Sequence, residues 1–312
     1  MTSAFELEGR PKRLAAALPR GRLATWTAML ADYWTLTKPE VNFLIAMTTM
    51  AGFYLGSRPG QLHFLLLVET VLGTLLVASG TATLNQYVER RYDALMRRTS
   101  RRPLPAGRLA PGRALWFGIL LAAAGDFYLA YAVNRLAAAL AAITLLSYLL
   151  LYTPLKRRTP FCTLVGAFPG AVPPLIGWAG ARGSLSAEAW VLYAILFLWQ
   201  FPHFLSIAWM YREDYNRAGY QMLPPGDSKG TAMAWQVVLF SLALLPVSLM
   251  PTWLGLEGVI YLIGALALGL GFLFFGARLA LDKSNFLARR LLFGSVVYLP
   301  LVWTLMMLDK RQ

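Results

Sequence analysis

Long apolar stretches alternate with shorter polar segments along most of the chain. Each stretch is about 17–25 residues long, and a helix of about 20 residues crosses the hydrocarbon core of a bilayer. The pattern therefore predicts an all-α polytopic membrane protein, built as a bundle of nine transmembrane helices. The predicted spans are residues 41–57, 62–84, 114–133, 136–153, 161–180, 188–210, 232–252, 257–277 and 290–308.

Three prolines interrupt the fifth predicted span. Pro169, Pro173 and Pro174 lack a backbone N–H, so they predict a kink or local unwinding at this point. Small residues such as Gly73 and Gly80 recur in the spans, and they allow helices to approach closely in a bundle.

Composition agrees with a membrane protein. Hydrophobic residues make up 57% of the 312 residues and charged residues 14%, and the mean hydropathy is +0.52. In soluble globular chains, hydrophobic residues average about 45–50% and charged residues about 25%. The single cysteine, Cys162, excludes an intrachain disulfide and a cysteine-ligated metal cluster. The two histidines, His63 and His203, are too few for a multi-histidine metal centre.

The positive charge lies almost entirely on one side of the predicted bundle. The net charge is +14, and 24 of the 29 lysines and arginines fall in the N-terminal segment and in alternate loops. Positive residues are enriched on the cytoplasmic side of membrane proteins, so we expect a cytoplasmic N-terminus and an outward C-terminus. Because topology explains the charge, we expect no nucleic-acid partner.

We expect residues 1–38 to form a basic cytoplasmic N-terminal segment and residues 39–312 to form one transmembrane domain. Residues 1–38 lack the long apolar run of a cleavable signal peptide. Their arginines are also typical of a transit peptide, but Glu6 and Glu8 weaken that interpretation. We therefore expect a multi-pass protein of a bacterial plasma membrane, with its active site on the cytoplasmic face.

Two long charged loops on that face carry the candidate chemistry. In the first, Asn85, Glu89 and Asp93 are four residues apart and share one face if the second span continues as a helix. Their oxygens suit Mg²⁺, which keeps some waters and is completed by substrate phosphates. The alternative is a helix end whose charges only pair with one another at the membrane surface. Arginines that could neutralise a diphosphate follow, namely Arg97, Arg98, Arg101 and Arg102.

The second loop follows the sixth span and adds Glu213, Asp214 and Lys229 on the same side. Two acidic clusters with basic neighbours suit an Mg²⁺-assisted ionisation of a diphosphate, because metal ions and cations stabilise the charge on the leaving group. The organic part of an isoprenyl diphosphate would then lie among the apolar helices.

A series of motifs runs in order from about residue 34 to residue 305. They are Leu36-Thr-Lys38-Pro39, Asn85 with Asp93, Met96-Arg-Arg98-Thr99, Arg102-Pro103-Leu104, Tyr152-Thr-Pro-Leu-Lys156-Arg157, Gly170-Ala-Val-Pro173-Pro174-Leu-Ile-Gly177-Trp178, Trp199-Gln-Phe-Pro-His203-Phe204, Asp214-Tyr215, Ala218-Gly219, Met222-Leu-Pro224 and Ser295 with Tyr298-Leu-Pro300. This series resembles the intramembrane aromatic prenyltransferase superfamily, whose members carry one Asn/Asp-rich motif after the second helix and another after the sixth. Within the superfamily, the similarity is to the branch that farnesylates haem.

The resemblance implies Mg²⁺-dependent transfer of a farnesyl group from farnesyl diphosphate to a vinyl group of haem b, with addition of water. It implies that Asp93 and Asp214 are catalytic. The implied metal ligands are Asn85, Glu89, Asp93 and Asp214, and the implied diphosphate contacts are Arg98, Lys156, Lys38 and Lys229. The product would be haem O, which makes a haem A synthase a possible downstream partner.

The chain departs from the superfamily pattern in both acidic motifs. Many members have Asp-Arg-Asp-x-Asp where this chain has Glu-Arg-Arg-Tyr-Asp over residues 89–93, so Arg91 replaces a carboxylate. In the second motif, Ala218 stands where a second acid is expected. Glu213 or Asp227 could supply that acid, and the sequence leaves both open.

His203 has two interpretations. Its neutral imidazole suits the iron of a haem substrate or an acid–base step, which makes it a third candidate catalytic residue. The alternative is a partly buried histidine that is hydrogen-bonded within the end of the sixth span. Trp199, Phe204 and Tyr152 could line a haem or prenyl pocket, although interfacial aromatic residues also anchor membrane proteins.

Three other functions stay open from the sequence. A prenyltransferase could act on a quinone or a phenolic acceptor, although the Trp199–Phe204 segment resembles the haem-farnesylating branch and argues against such an acceptor. A secondary transporter is compatible with kinked helices, but transport sites usually lie near the bilayer midplane and these acids lie at one face. A non-catalytic assembly factor would need neither acidic motif.

Overall fold

A computed structural model describes residues 22–311, and all regular elements within that range are helices. The predicted all-α class is therefore confirmed. The helices are α1 (Arg22–Thr37), α2 (Pro39–Gly56), α3 (Phe64–Asp93), α4 (Pro111–Tyr128), α5 (Arg135–Ser147), α6 (Thr153–Leu155), α7 (Cys162–Gly170), α8 (Pro173–Arg182), α9 (Ala187–Met210), α10 (Arg212–Arg217), α11 (Thr231–Trp253), α12 (Val259–Leu281) and α13 (Asn285–Leu308). One π-helical turn, Leu129–Val133, extends α4, and another, Tyr148–Tyr152, joins α5 to α6.

Eight of the nine predicted spans are confirmed as helices long and apolar enough to cross a membrane. They are formed by α3, by α4 with its π-helical turn, by α5 to α6, by α7 with α8, and by α9, α11, α12 and α13. The first predicted span, residues 41–57, corresponds to α2, which is 18 residues long but is not among the eight. Helix α2 has only 18 residues, and they include Glu40 and Asn42 in its first turns.

The prolines of the fifth span break it as predicted. Helix α7 ends at Gly170, and α8 begins at Pro173, where the missing N–H costs nothing in a first turn. Helix α8 then packs closely against α2: a Cβ atom at Gly177 would lie 2.0 Å from the carbonyl oxygen of Thr49. The glycine at this position lets the two backbones meet in the middle of the bundle.

Helix α3 is 30 residues long and continues well beyond the predicted end of its span at residue 84. Its polar C-terminal third is therefore helical, and Gln86 there donates a hydrogen bond to the carbonyl of Leu36 at 2.8 Å. That bond attaches α3 to the end of α1, a helix that the sequence analysis did not predict. The rest of the predicted basic segment, residues 1–21, lies outside the described residues.

Candidate active site

The polar stripe predicted on α3 is present and buried. Asn85, Glu89 and Asp93 are 1%, 6% and 1% exposed. Their four-residue spacing places them on one helix face because α3 is continuous through Asp93. The amide of Asn85 donates to the hydroxyl of Thr153 at 3.1 Å, which ties the stripe to the segment after α5.

Each carboxylate of the stripe pairs with a cation from another segment. Lys156 Nζ lies 2.9 Å from Glu89 Oε1, and Arg102 Nη1 lies 2.8 Å from Asp93 Oδ2. Burial alone would lower the pKa of Lys156, but the Glu89 carboxylate together with Tyr152 and Tyr148 outweighs burial and raises that pKa well above its usual value. Glu89 thus pairs across the fold and not with an arginine of its own helix. We call these four residues with Lys38 the ionic cluster.

Lys38 occupies the corner between α1 and α2. It is the one non-glycine residue with positive φ among residues 22–311, with φ 52° and ψ 65°. Such a conformation costs about 1–3 kcal/mol and is common at functional sites. Burial, together with the nearby Arg102 and Lys156, lowers the pKa of Lys38 to about 8. The structure thus brings Lys38 and Lys156, both predicted diphosphate contacts, to the same cluster.

The second loop meets the first through Asp214. This residue is buried on α10, and its Oδ2 accepts a hydrogen bond from the backbone N–H of Arg98 at 3.1 Å. Its other oxygen lies 3.1 Å from Arg217 Nη1. The Arg98 side chain donates to the hydroxyl of Tyr215 at 3.1 Å, so the predicted arginine spans both loops.

The other charged residues of the second loop lie apart from these contacts. Asp227 accepts hydrogen bonds from the backbone N–H groups of Thr231 and Met233, at 2.6 and 3.0 Å, and so caps α11. Glu213 and Lys229 are exposed and make no hydrogen bond or ion pair with any residue in the described range. The structure therefore gives neither Glu213 nor Asp227 as a counterpart of the missing acid.

The donor atoms fit a magnesium ion that is completed by substrate. Asn85, Glu89 and Asp93 each keep one side-chain oxygen that makes no hydrogen bond within the described part of the chain and is not fully buried. Among residues 22–311, no three histidine, cysteine or carboxylate side chains converge enough to hold a metal alone. A hard cation here would therefore also use phosphate oxygens and water, as Mg²⁺ commonly does.

His203 lies deeper in the bundle, in contact with α13. Its Nδ1 is 2.7 Å from the hydroxyl of Ser295, and that hydroxyl donates to the carbonyl of Leu292 at 2.6 Å. The hydroxyl has one proton and the Leu292 carbonyl can only accept, so the tautomer that satisfies both contacts has His203 Nδ1–H donating to Ser295 and the lone pair on Nε2. No described residue hydrogen-bonds to Nε2, and it is not fully buried. Seven residues separate His203 from the end of α9 at Met210, a rise of about 10 Å.

The predicted aromatic residues fall at two depths. Trp199 stacks on the His203 ring, with centroids 4.7 Å apart, and Phe204 meets that ring edge-on at 5.3 Å. Tyr152 instead lies by the ionic cluster, with Lys156 Nζ 4.5 Å from its ring centre. The structure thus groups Trp199 and Phe204 with His203 and places Tyr152 with the charges.

Two contacts of the site were not predicted from the sequence. Arg102 holds Asp93, and Ser295 sets the tautomer of His203. Arg102 is one of four arginines in the first loop, and nothing in the sequence shows which of them pairs with Asp93. Ser295 lies 92 residues from His203, so no local pattern indicates their contact.

Comparison with known proteins defines the class. The chain belongs to the UbiA prenyltransferase family, whose model matches residues 45–297. Its relatives include protoheme IX farnesyltransferases. The chain is 53% identical to the protoheme IX farnesyltransferase of Solibacter usitatus, over 90% of this chain and 99% of that protein. It is 43% identical to the protoheme IX farnesyltransferase of Koribacter versatilis, over 94% of this chain and 97% of that protein. The resemblance to the haem-farnesylating branch is confirmed.

Solved structures share the fold. A structure of digeranylgeranylglyceryl phosphate synthase superposes with a TM-score of 0.71 at 19% identity, covering 90% of this chain and 98% of that one. A UbiA homologue from Archaeoglobus fulgidus bound to DMAPP and Mg²⁺ superposes with a TM-score of 0.64 at 18% identity, covering 88% of this chain and 99% of that one. The helical arrangement described above is therefore that of known UbiA proteins.

Proposed function

We propose that this chain transfers the farnesyl group of farnesyl diphosphate to a vinyl group of haem b, with addition of water, to give haem O and diphosphate. The observation that carries the proposal is the 53% identity to a protoheme IX farnesyltransferase over 99% of that protein. The two linked acidic loops support it, because they join carboxylates and cations of the kind that a diphosphate ionisation needs.

The acidic residues and the cations have separate tasks in this reaction. Asn85, Glu89, Asp93 and Asp214 would hold Mg²⁺, which supplies positive charge to the departing diphosphate. The magnesium-bound UbiA homologue supports this choice of ion for the fold. Arg98, Lys156, Lys38 and Lys229 would contact diphosphate oxygens; Lys229 would have to turn inward from its exposed position.

The bond changes follow from the charges. The C1–O bond of farnesyl diphosphate breaks, and its electron pair leaves with the diphosphate. The terminal carbon of the vinyl group then bonds to C1, and the positive charge moves to the carbon attached to the porphyrin. Water adds at that carbon and loses a proton. Asp93 and Asp214 act in the first step, because they organise the positive charge around the leaving group.

His203 would orient the acceptor. Its Nε2 lone pair suits haem iron, and the hydrogen bond to Ser295 holds that tautomer in place. Trp199 and Phe204 surround the imidazole and would contact the porphyrin or the prenyl chain. Tyr152, beside Lys156, would line the pocket nearer the diphosphate.

We place the reaction at the cytoplasmic face of a bacterial plasma membrane. Counting α2 as a ninth span puts the N-terminus and both acidic loops on the positive, cytoplasmic side. The bacterial relatives support this location. Haem O would then be available to a haem A synthase in the same membrane.

Haem extraction tests the function. The chain is expressed in a bacterial host without its own haem O synthase, beside an Asp93→Asn/Asp214→Asn variant, and extracted haems are separated and weighed by mass spectrometry. We expect farnesylated, hydrated haem from the wild type and at least about a hundredfold less from the variant. Haem b alone from membranes containing folded wild-type protein would contradict the haem acceptor and make quinone prenylation the next assay.

A further inference from the structure

A pocket of about 360 Å³ lies beside the ionic cluster, and we call it the Tyr220 pocket. It opens between the end of α3, the segment after α6 and the segment after α10. Its lining includes Glu89, Tyr92, Thr153, Arg157, Arg158 and Tyr220. The backbone N–H of Gln221 donates to the carbonyl of Lys156 at 2.7 Å and so joins two of the three segments.

The pocket has two cations without a carboxylate partner. Arg157 and Arg158 make no ion pair with any described residue, whereas Lys156 and Arg102 nearby are each paired with a carboxylate. Arg157 is nevertheless held in place: its guanidinium donates to the hydroxyl of Tyr92 at 2.5 Å and lies 4.3 Å from the centre of that ring. The pocket therefore offers fixed positive charge to an anion.

Tyr220 adds a buried donor. The residue is 5% exposed, and its buried hydroxyl makes no hydrogen bond with the described residues, although the Glu89 carboxylate is near. Leaving a buried hydroxyl unpaired is costly, which indicates that this one has a partner when the pocket is filled.

We propose that the Tyr220 pocket binds a propionate carboxylate of the haem acceptor, through Arg157, Arg158 and the Tyr220 hydroxyl. The inference rests on the proposed function. A carboxylate matches the planar donors of arginine and accepts from a phenol.

The pocket adjoins the proposed diphosphate site and shares one residue with it. Of the ionic cluster, only Glu89 lines it, and Glu89 is already neutralised by Lys156. In haem b the propionates project from the two pyrrole rings that lack vinyl groups. A porphyrin whose vinyl group meets farnesyl diphosphate must therefore hold its propionates elsewhere, and at the membrane surface arginine side chains can meet them.

The acceptor itself tests the proposal in the wild-type protein. Purified full-length enzyme is assayed in lipid nanodiscs with farnesyl diphosphate and either haem b or its dimethyl ester, which has no propionate charge. We expect a KM about tenfold higher for the ester, as for loss of a charge-assisted hydrogen bond. Equal KM values for the two acceptors would overturn the proposal. Absence of product from both would instead contradict the proposed function.

Variants locate the effect in the pocket. In the Arg157→Gln/Arg158→Gln variant, we expect the KM for haem b to rise about tenfold, to the value for the dimethyl ester. The KM for farnesyl diphosphate and the KM for the ester should both stay unchanged. Tyr220→Phe should give a smaller rise of the same kind. The matched control is Arg113→Gln, an exposed arginine at the start of α4 without an ion-pair partner in the described range, and it should change none of these values.

Binding without turnover gives a second readout. Titration of each protein with haem b in the absence of farnesyl diphosphate, followed by quenching of tryptophan fluorescence, should show the same tenfold loss in the double variant. An unchanged ratio of haem b to ester affinity in a folded double variant would overturn the proposal. So would a selective rise in the KM for farnesyl diphosphate, since the arginines would then belong to the diphosphate site.

Discussion

Buried acids of the α3 stripe depend on cations that come from distant parts of the chain. Lys156 lies 67 residues beyond Glu89, and both side chains are largely buried. Removing one partner of such a pair leaves an uncompensated buried charge, which costs more than the pair itself contributes. The structure of the site thus relies on the same residues that are proposed to bind substrate.

Lys156→Ala should therefore lower the free energy of unfolding by about 3–5 kcal/mol. The measurement is thermal or denaturant unfolding of the purified protein in detergent. Arg108→Ala is the matched control, because its pair with Asp32 is solvent-accessible and should contribute at most about 1 kcal/mol. Similar losses in the two variants would show that the Lys156–Glu89 pair is not a buried, interdependent unit.

Ser295 should act on haem through His203. Ser295→Ala removes the acceptor for Nδ1–H, so the neutral imidazole can exchange tautomers and present the wrong nitrogen. We expect haem b affinity to fall about tenfold or more, as for other residues that orient a metal ligand. Ser295→Thr, which keeps the hydroxyl, should restore it. A Soret-band titration measures both, and wild-type affinity in Ser295→Ala would exclude this positioning role.

At the residue scale, the sequence allowed prediction of the acids but not of their partners. Asn85, Glu89 and Asp93 follow helical spacing, so one continuous helix suffices to bring them together. The contacts of Arg102 and Ser295 depend on tertiary packing across loops and helices, for which spacing holds no information. The roles proposed for these residues stay predictions until tested by substitution.

At the scale of elements, α2 and α8 approach each other closely. Gly177→Ala would place a methyl group 2.0 Å from a backbone oxygen of Thr49, and the backbone must then move. We expect a loss of about 1–3 kcal/mol in unfolding free energy, typical of overpacking. Gly271→Ala on α12 is the control, because nothing lies within 4 Å of its added Cβ. Equal melting temperatures for both variants would contradict this close packing.

Element boundaries could be predicted where the bilayer or proline dictates them. Span length predicted eight membrane-crossing segments, and Pro173 predicted a break that coincides with the start of α8. Helix α1 was not predicted because residues 1–38 have many charged residues and no long apolar run. Its exposed Trp26, Leu30 and Trp34 are four residues apart, a helical signal that periodicity analysis of that segment could have found.

The C-terminal residues are held against two other segments of the chain next to Glu257. The C-terminal residues pair with the turn between α11 and α12, and Lys310 Nζ donates to the carbonyls of Tyr54 and Ser57, both at 2.7 Å. Glu257 is fully buried there, and neither carboxylate oxygen has a hydrogen-bond partner in the described range. Burial and the nearby Asp309 raise the pKa of Glu257 to about 8.

Stability should therefore decrease as the pH rises. Glu257 has a pKa of about 8 in the folded state and about 4.5 in the unfolded chain. Its stabilising contribution is therefore complete below pH 4.5 and is lost as the pH rises through 8. The melting temperature in detergent should fall between pH 5 and pH 9, and Glu257→Gln should remove part of that fall. Identical pH dependence in both proteins would contradict a protonated Glu257.

For the whole molecule, the function class was predictable because its motifs extend along most of the chain, and family membership confirms the class. The ninth span and the orientation were predicted from hydropathy and charge alone. Helix α2 is the difference between nine and eight spans, because it is only 18 residues long and its first turns carry Glu40 and Asn42.

Stoichiometry with purified enzyme tests the central claim most directly. Wild-type protein, farnesyl diphosphate, haem b and Mg²⁺ are incubated in ¹⁸O-labelled water, and haem products and released diphosphate are quantified together. We expect one diphosphate per haem O, a hydroxyl group that carries ¹⁸O, and loss of both products on chelation of Mg²⁺. Diphosphate release without a matching modified haem, or a haem product without the label, would contradict farnesyl transfer coupled to addition of water.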